Sequence, residues 1–454
     1  MGVKGLPKFV KTYAGSYAVG TYDFLRFKGM TVAVDASLLI NQTGIAMRSS
    51  GKDMKNKQGQ VTSHLYGIFY KVLIFLENGM TPIFIFDGKA PDIKNKTIGE
   101  RNKRKADAIE KIEQLTEDSE DENYIRLFKK TYKPTKADID ETFILLELMG
   151  IPYIVAPGEA DVICSWLASR YDNNGQRYAK GVCSDDSDML ALGARYLFKD
   201  MLRFRTKNKK VTVISLHRTL VKTNLSMKQF TDLCVLLGCD YCDNIKGIGP
   251  KNAYDLISKY KSLENVLKHL DDKFGYSTDN GDTSDNSDNS SDSKNDDTNA
   301  KKEYIAKKKC LIDARNYFCN ALTDIDNSDD FILTDDNLKC RMYQYEELID
   351  FLCVKHDFDI LRVQTGMKRL EAYYKKMKIT RPNTAKVHKI LQPRAENYIF
   401  RALTEDINFI PSDEDNEDIE QKEIIKPDDI PSKKTKNKDI INNKIIPNKS
   451  KNIK

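Results

Sequence analysis

Four short apolar runs in the first half of the chain each end in, or lead promptly into, a carboxylate. Thr31–Val34 is followed by Asp35, and Thr81–Phe86 by Asp87. Ile151–Val155 leads to Glu159 and Asp161, and Gly181–Cys183 to Asp186 and Asp188. Helix-like stretches follow these runs. Strands alternating with helices predict a central, mostly parallel sheet covered on both faces. In open parallel sheets the ligand site lies beyond the carboxyl ends of the strands, so these acids are expected to converge on one cleft. Asp240 closes the apolar stretch Phe230–Gly238 and is a candidate to join them. Each acid alone has a plainer reading, because an Asp after a strand usually forms a turn or caps a helix. Glu159 and Asp161 equally suit a helix N-terminus. The set is more specific than its members.

Clustered carboxylates repel one another unless cations neutralise them. Oxygen ligands with few His or Cys nearby favour Mg²⁺ or Mn²⁺ over zinc. Two such ions, roughly 4 Å apart, are a standard arrangement for phosphodiester hydrolysis. Cys239 and Cys242 form a CxxC, but no second pair follows, so buried thiols are expected there and not a zinc site. The 9 Cys form no recognisable disulfide framework, which suits a reducing compartment. Neither a signal peptide nor a myristoylation pattern is legible at the N-terminus, where Leu6 stands in place of Ser or Thr. No run is long enough to span a bilayer.

The chain has 454 residues and a net charge of only +6, but acid is concentrated in late low-complexity stretches, leaving the first part more basic. A basic surface favours polyanions by counterion release. Between Lys89 and Thr135, Lys, Arg and Glu dominate, as expected of charged helices bridging two halves of the sheet. Lys94 and Arg101 are seven apart, with Arg104 and Lys105 three and four beyond Arg101, so on a helix they share a face. Residues 277–300 are Asp, Ser, Asn, Gly and Thr almost throughout and are expected to be disordered, as is the tail from about Ser412. The expected organisation is an acid-bearing α/β first region over 1–106, the rest of a charged helical element over 107–135, and a second region over 136–270. An acidic insertion over 271–302, a helical part over 303–380 and an extension over 381–454 follow.

MGVKGL, VAVDAS, TSHLYGIFY, PIFIFDGKAP, MGIPYIVAPGEAD, SDDSDML and LLGCDYCDNIKGIGPK occur in this order. Together they resemble the flap endonuclease branch of the xeroderma pigmentosum G-type nucleases over roughly residues 1–270. A weaker resemblance follows at YQYEELIDFLC and TGMKRL. The resemblance implies an α/β 5′ nuclease core of the PIN-like type, with a helical arch and a helix–two-turn–helix element. It implies a Mg²⁺-dependent endonuclease that removes 5′ flaps, with associated 5′ exonuclease activity. The metal acids fall on Asp35, Asp87, Glu159, Asp161, Asp186, Asp188 and Asp240, with Asp161 where flap endonucleases typically have Glu. Lys94 and Arg101 match arch bases that act on the scissile phosphate, where positive charge stabilises the transition state. Arg48, Lys71 and Arg104 are expected DNA contacts.

Gly2 and Gly5 match N-terminal glycines that lie beside the active site, where a side chain would not fit. Gly247, Gly249 and Lys251 in KGIGPK resemble the element that grips duplex DNA through backbone amides and a helix N-terminus. The family also binds K⁺ there. A branched DNA with a 5′ single-stranded flap is the implied partner, and the chain is expected to act as a monomer in the nucleus. A cytoplasmic viral or organellar replication site would give the same sequence signals.

Asn41 stands where the family often has a Tyr that stacks on a base, a platform worth about 1–3 kcal/mol per base. Lys57, Gln58 and Gln60 replace an often acidic loop near the pocket for a one-nucleotide 3′ flap, while Arg48 and Thr62 match that region. The sliding-clamp motif has only a poor counterpart after Gln392, leaving clamp binding open. Competing readings are a 5′ exonuclease or junction resolvase of the same superfamily, and a non-catalytic DNA-structure-binding scaffold.

Overall fold

The computed structural model describes residues 2–115, 121–172, 174–203, 210–274, 294–329, 331–333 and 338–379. The strands are β1 (Val19–Asp23), β2 (Thr31–Asp35), β3 (Thr81–Phe86), β4 (Tyr153–Val155), β5 (Val182–Cys183), β6 (Tyr196–Lys199) and β7 (Lys210–Ser215). They form one sheet in the order β1-β7-β6-β5-β2-β3-β4. The contiguous strands β6, β5, β2, β3 and β4 run parallel, while β7 pairs antiparallel with both β6 and β1. The parallel half is the one anticipated from sequence. The antiparallel flank formed by β1 and β7 was not anticipated.

Side chains alternate across the pleat, as strand geometry requires. Ala33, Ile83 and Ile85 enter a core shared with the helices Ala160–Ser169 and Met227–Leu237. Val32, Val34, Phe84 and Phe86 enter the opposite core, with the helices Ala36–Met47, Ser63–Glu77, Lys136–Met149 and Ile360–Lys376. The sheet is therefore covered on both faces, which leaves the carboxyl ends of its central strands as the place where polar groups gather.

In the second core, His64 and His356 are fully or almost fully buried and both face Glu141. His64 Nε2 is 3.3 Å from Glu141 Oε2, and His356 Nε2 is 3.4 Å from Oε1. Burial is the largest influence on each imidazole and depresses its pKa, against the opposing pull of Glu141.

The charged segment forms the helices Asn95–Glu113 and Glu122–Lys130, which pack together. The long helix Lys294–Asp326 begins inside the stretch expected to be an insertion. Its Lys- and Ala-rich start extends a helix anchored by buried Leu311, Ala314 and Phe318. The tail, and Gln392 before it, lie outside the described residues. Among the described residues no helix is long and apolar enough to cross a membrane.

Candidate active site

The acids gather where the strand order predicts. Asp35 is the last residue of β2, Asp87 follows β3, Glu159 and Asp161 follow β4, and Asp186 and Asp188 follow β5. These four strands are neighbours in the sheet. Asp35 does cap a helix, since its Oδ1 accepts from Leu38 N at 2.9 Å. Its Oδ2 accepts from the Ser184 hydroxyl at 3.1 Å, and Ser184 Oγ in turn accepts from Asp186 N at 3.0 Å. One carboxylate thus serves both the local helix and the neighbouring loop. Asp87 Oδ1 accepts from Ala160 N at 2.9 Å, capping the helix that Glu159 precedes. Glu159 is thereby relieved of capping and sends its carboxylate elsewhere. Its Oε1 accepts from Lys94 Nζ, and its Oε2 accepts from Tyr241 Oη at 2.5 Å and Tyr317 Oη at 2.7 Å.

Burial first, and neighbouring carboxylates after it, raise several acids of the cluster. Burial, then Asp87, raises the Asp35 pKa to about 7. Burial, with Asp186 and Asp35 next, holds Asp161 well above the ordinary range. Asp188 is raised in the same way by burial, Asp186 and Asp240. Asp188 Oδ1 is buried without a hydrogen-bond partner. A buried acceptor in that condition is costly, and a hard cation would satisfy it. Among the described residues no three such side chains are already drawn together in a metal-holding arrangement. The donor set is nevertheless oxygen-rich, with Asp35, Glu159, Asp186 and Asp188 buried, so it fits an oxygen-liganded divalent cation.

The positive charge now present comes from the base of the charged helix. Lys94 immediately precedes Asn95–Glu113 and also lies 3.9 Å from Asp240. Burial works against the Lys94 charge, but Glu159, Asp161 and Asp240 together hold its pKa above the ordinary value. Arg101 Nη2 reaches Asp240 Oδ2 at 2.5 Å, and Thr97 donates to the Asp240 carbonyl. Arg104 is turned away, exposed and paired with Glu100 at 3.3 Å.

The chain start closes the site from another side. Gly2 has φ +78°, and a Cβ there would overlap Asp186 Oδ1 and lie 2.8 Å from Asp188 N. Lys4 N donates to Gly238 O at 2.7 Å and Ser187 Oγ to Val3 O at 3.2 Å, which hold this segment in place. Gly5 is left-handed too, at φ +73°, where the helix Leu6–Tyr13 begins. Downstream of Asp240, Gly247 has φ +85°, and a Cβ on it or on Gly249 would meet only open space. Gly249 starts the helix Pro250–Tyr260 with no side chain capping its amides, and Lys251 is exposed beside it.

Two expected DNA contacts need correction. Lys71 is 1% exposed and donates to the carbonyls of Met201 at 3.0 Å and Arg203 at 3.2 Å. It lies three residues from Ile68 and four from Phe75, on the inward face of its helix, so its charge meets the core and not a ligand. Arg48 is spent within the protein. It pairs with Asp53 at 2.6 Å, donates to Phe128 O and Thr131 Oγ1, and lies over the Phe128 ring. Thr62 is buried. Asn41 donates to Ser37 O within its own helix.

Sequence reading missed Ser184, Tyr241 and Tyr317. The first two adjoin recognised acids and were within reach. Tyr317 sits in mid-helix, 158 residues from the carboxylate it serves, and no local pattern announces it.

The family model for the XPG N-terminal domain matches residues 1–108, and that for the XPG I-region matches residues 150–240. The chain is 42% identical to flap endonuclease 1 of Entamoeba dispar over 279 residues, covering 60% of this chain and 71% of that protein. It is 39% identical to the human flap endonuclease 1 over 271 residues, covering 60% and 70%. With the Xiphophorus maculatus flap endonuclease 1 the match is 35% over 370 residues, covering 82% and 86%. Among solved structures, flap endonuclease-1 from Methanococcus jannaschii aligns with a TM-score of 0.53 at 25% identity, covering 80% of this chain and 98% of that one. The catalytic core of Rad2 in complex with DNA substrate gives the same TM-score at 21% identity, covering 81% and 100%, and shares the fold.

Proposed function

The chain belongs to the flap endonuclease 1 family of XPG-type nucleases, and from that premise we propose that it cuts branched DNA near the base of a 5′ single-stranded flap, in replication and repair. The observation that carries this reading is the placement of two arch-base cations, Lys94 and Arg101, directly on the acids Glu159 and Asp240. A phosphodiester needs positive charge on one side and a hydrolytic centre on the other, and contact of both cations with the acids supports that reading.

Asp35, Asp87, Glu159, Asp161, Asp186, Asp188 and Asp240 would hold two Mg²⁺ ions, with Mn²⁺ able to replace them. When bound, the ions supply a hydroxide from water and stabilise charge on the scissile phosphate. The remaining work falls to the chain. Lys94 and Arg101 exchange a carboxylate partner for the phosphate. Gly2 keeps the chain start close to the acids without a side chain in the way. The amides around Gly247 and Gly249, with Lys251, hold duplex phosphates without reading sequence. Arg104, exposed on the same helix, serves the passing single strand.

The test is cleavage of labelled 5′-flap DNA beside blunt duplex, 3′-flap, nicked and four-way junction substrates, each with Mg²⁺ and with EDTA. Selective metal-dependent cutting near the flap base is expected. Preference for nicks and ends would replace this reading with an exonuclease, and symmetric junction cuts with a resolvase. Tight binding without cutting, unchanged in Asp186→Ala, would leave a scaffold.

A further inference from the structure

Glu159 accepts from three side-chain donors. Both phenols, Tyr241 and Tyr317, donate to the same oxygen, Oε2, while Lys94 takes Oε1. The two rings lie 4.6 Å apart, and Tyr241 packs edge-on against Phe318 at 5.3 Å. Tyr317 is carried by the helix Lys294–Asp326, outside both stretches that the family models match.

That helix is a rigid mount. Arg315 pairs with Asp232 at 3.0 Å, and Cys310 Sγ donates to Tyr241 O at 3.1 Å. Asp326 accepts from Trp166 Nε1 at 2.7 Å. A side chain on so constrained a helix can set the direction of a neighbouring carboxylate to within a fraction of an ångström.

We propose that Tyr317 is a positioning residue which, together with Tyr241, fixes Oε2 of Glu159 so that Oε1 is the oxygen that exchanges Lys94 for a divalent cation. The assignment rests on the nuclease reading above. Outer donors of this kind orient a ligating carboxylate, and their loss weakens metal binding about 10- to 100-fold. Because two phenols share the task, a single loss falls at the lower end of that range. The role also explains why a helix remote in sequence reaches into the acid cluster. It couples the metal-holding geometry to the packing of Lys294–Asp326 against Ala160–Ser169 and Met227–Leu237.

The test uses the full chain stripped with EDTA, and calorimetric titration with Mn²⁺. Tyr317→Phe keeps the ring and removes only the donor. It is expected to weaken Mn²⁺ affinity about tenfold, and Tyr241→Phe/Tyr317→Phe about 100-fold. The melting temperature and the flap-DNA affinity in EDTA serve as fold controls. The Mg²⁺ midpoint of cleavage should rise by the same factor, so that added metal recovers the rate, which a packing defect would not allow. Unchanged Mn²⁺ affinity in Tyr317→Phe and in the double variant, beside weakened affinity in Glu159→Gln, overturns the proposal and leaves the nuclease reading intact. Unchanged affinity in Glu159→Gln as well overturns both the proposal and the place of Glu159 among the ligands.

Discussion

Arg101 Nη2 lies 2.5 Å from Asp240 Oδ2, so the charged helix is latched onto the acid cluster before any substrate arrives. Lys94 makes the companion contact with Glu159. In a cleft with so many carboxylates these two cations offset part of the like-charge repulsion. They are also the groups best placed to meet an entering phosphate. Arg101→Ala and Lys94→Ala are therefore expected to lower single-turnover cleavage of a 5′ flap about 10²- to 10³-fold each, the range for removing a preorganised transition-state contact. Flap affinity should change far less, because many other phosphates remain held. Cleavage within threefold of the parent in both variants would remove them from the chemistry.

Gly2 offers a sharper steric test. Its positive φ and its approach to Asp186 and Asp188 leave no room for a Cβ. Gly2→Ala should abolish most cleavage while leaving the melting temperature and duplex binding near those of the parent, since the residue is at the chain start and supports no core. Full activity in Gly2→Ala would show that the segment moves away from the acids when DNA binds.

The parallel half of the sheet and the six acids at its strand ends were legible because the signal is local: a short apolar run, then a carboxylate. β1 and β7 were not, since β1 carries Gly20 and exposed polar residues in place of an apolar run and β7 ends in Ser215 without a carboxylate. The partners of the acids divide in the same way. Ser184 and Tyr241 adjoin motif residues, whereas Tyr317 meets Glu159 only through the tertiary packing of a distant helix. The misreading of Lys71 has a physical cause as well. A lysine in a helix is presumed to face water, but here two backbone carbonyls at a chain turn accept its charge inside the protein. Arg48 shows the same lesson more mildly, with an aromatic ring and a carboxylate taking the place of a phosphate.

The correction at Lys71 can be checked directly. Lys71→Met preserves the bulk of the side chain but leaves the carbonyls of Met201 and Arg203 without their donor. Stability should fall by about 1–3 kcal/mol in denaturant titrations, the cost of leaving the buried Met201 carbonyl unsatisfied. Affinity for flap DNA in EDTA should be unchanged for the fraction that is folded. Weakened DNA binding with stability intact would restore Lys71 to the interface.

His64 and His356 give the fold a pH dependence separate from the acid cluster. Both imidazoles are buried, and burial, the dominant influence, lowers each below 6.5. Asp138 and Glu141 pull His64 upward; Glu141 and Asp357 do so for His356, while Lys355 and the other imidazole push it down. The net shift stays downward because burial outweighs these carboxylates. In the unfolded chain the two groups take up protons near pH 6.5, whereas the folded protein resists protonation. Their contribution is therefore present above pH 6.5 and is lost as the pH falls through and below that value. The slope is at most about 1.4 kcal/mol per pH unit for each imidazole. Denaturant midpoints between pH 7.5 and 5.5 should fall steadily, and less steeply in His356→Gln, which cannot be charged. A parent and a His356→Gln protein with the same slope across this window would show that His356 stays uncharged in both states or titrates equally in them.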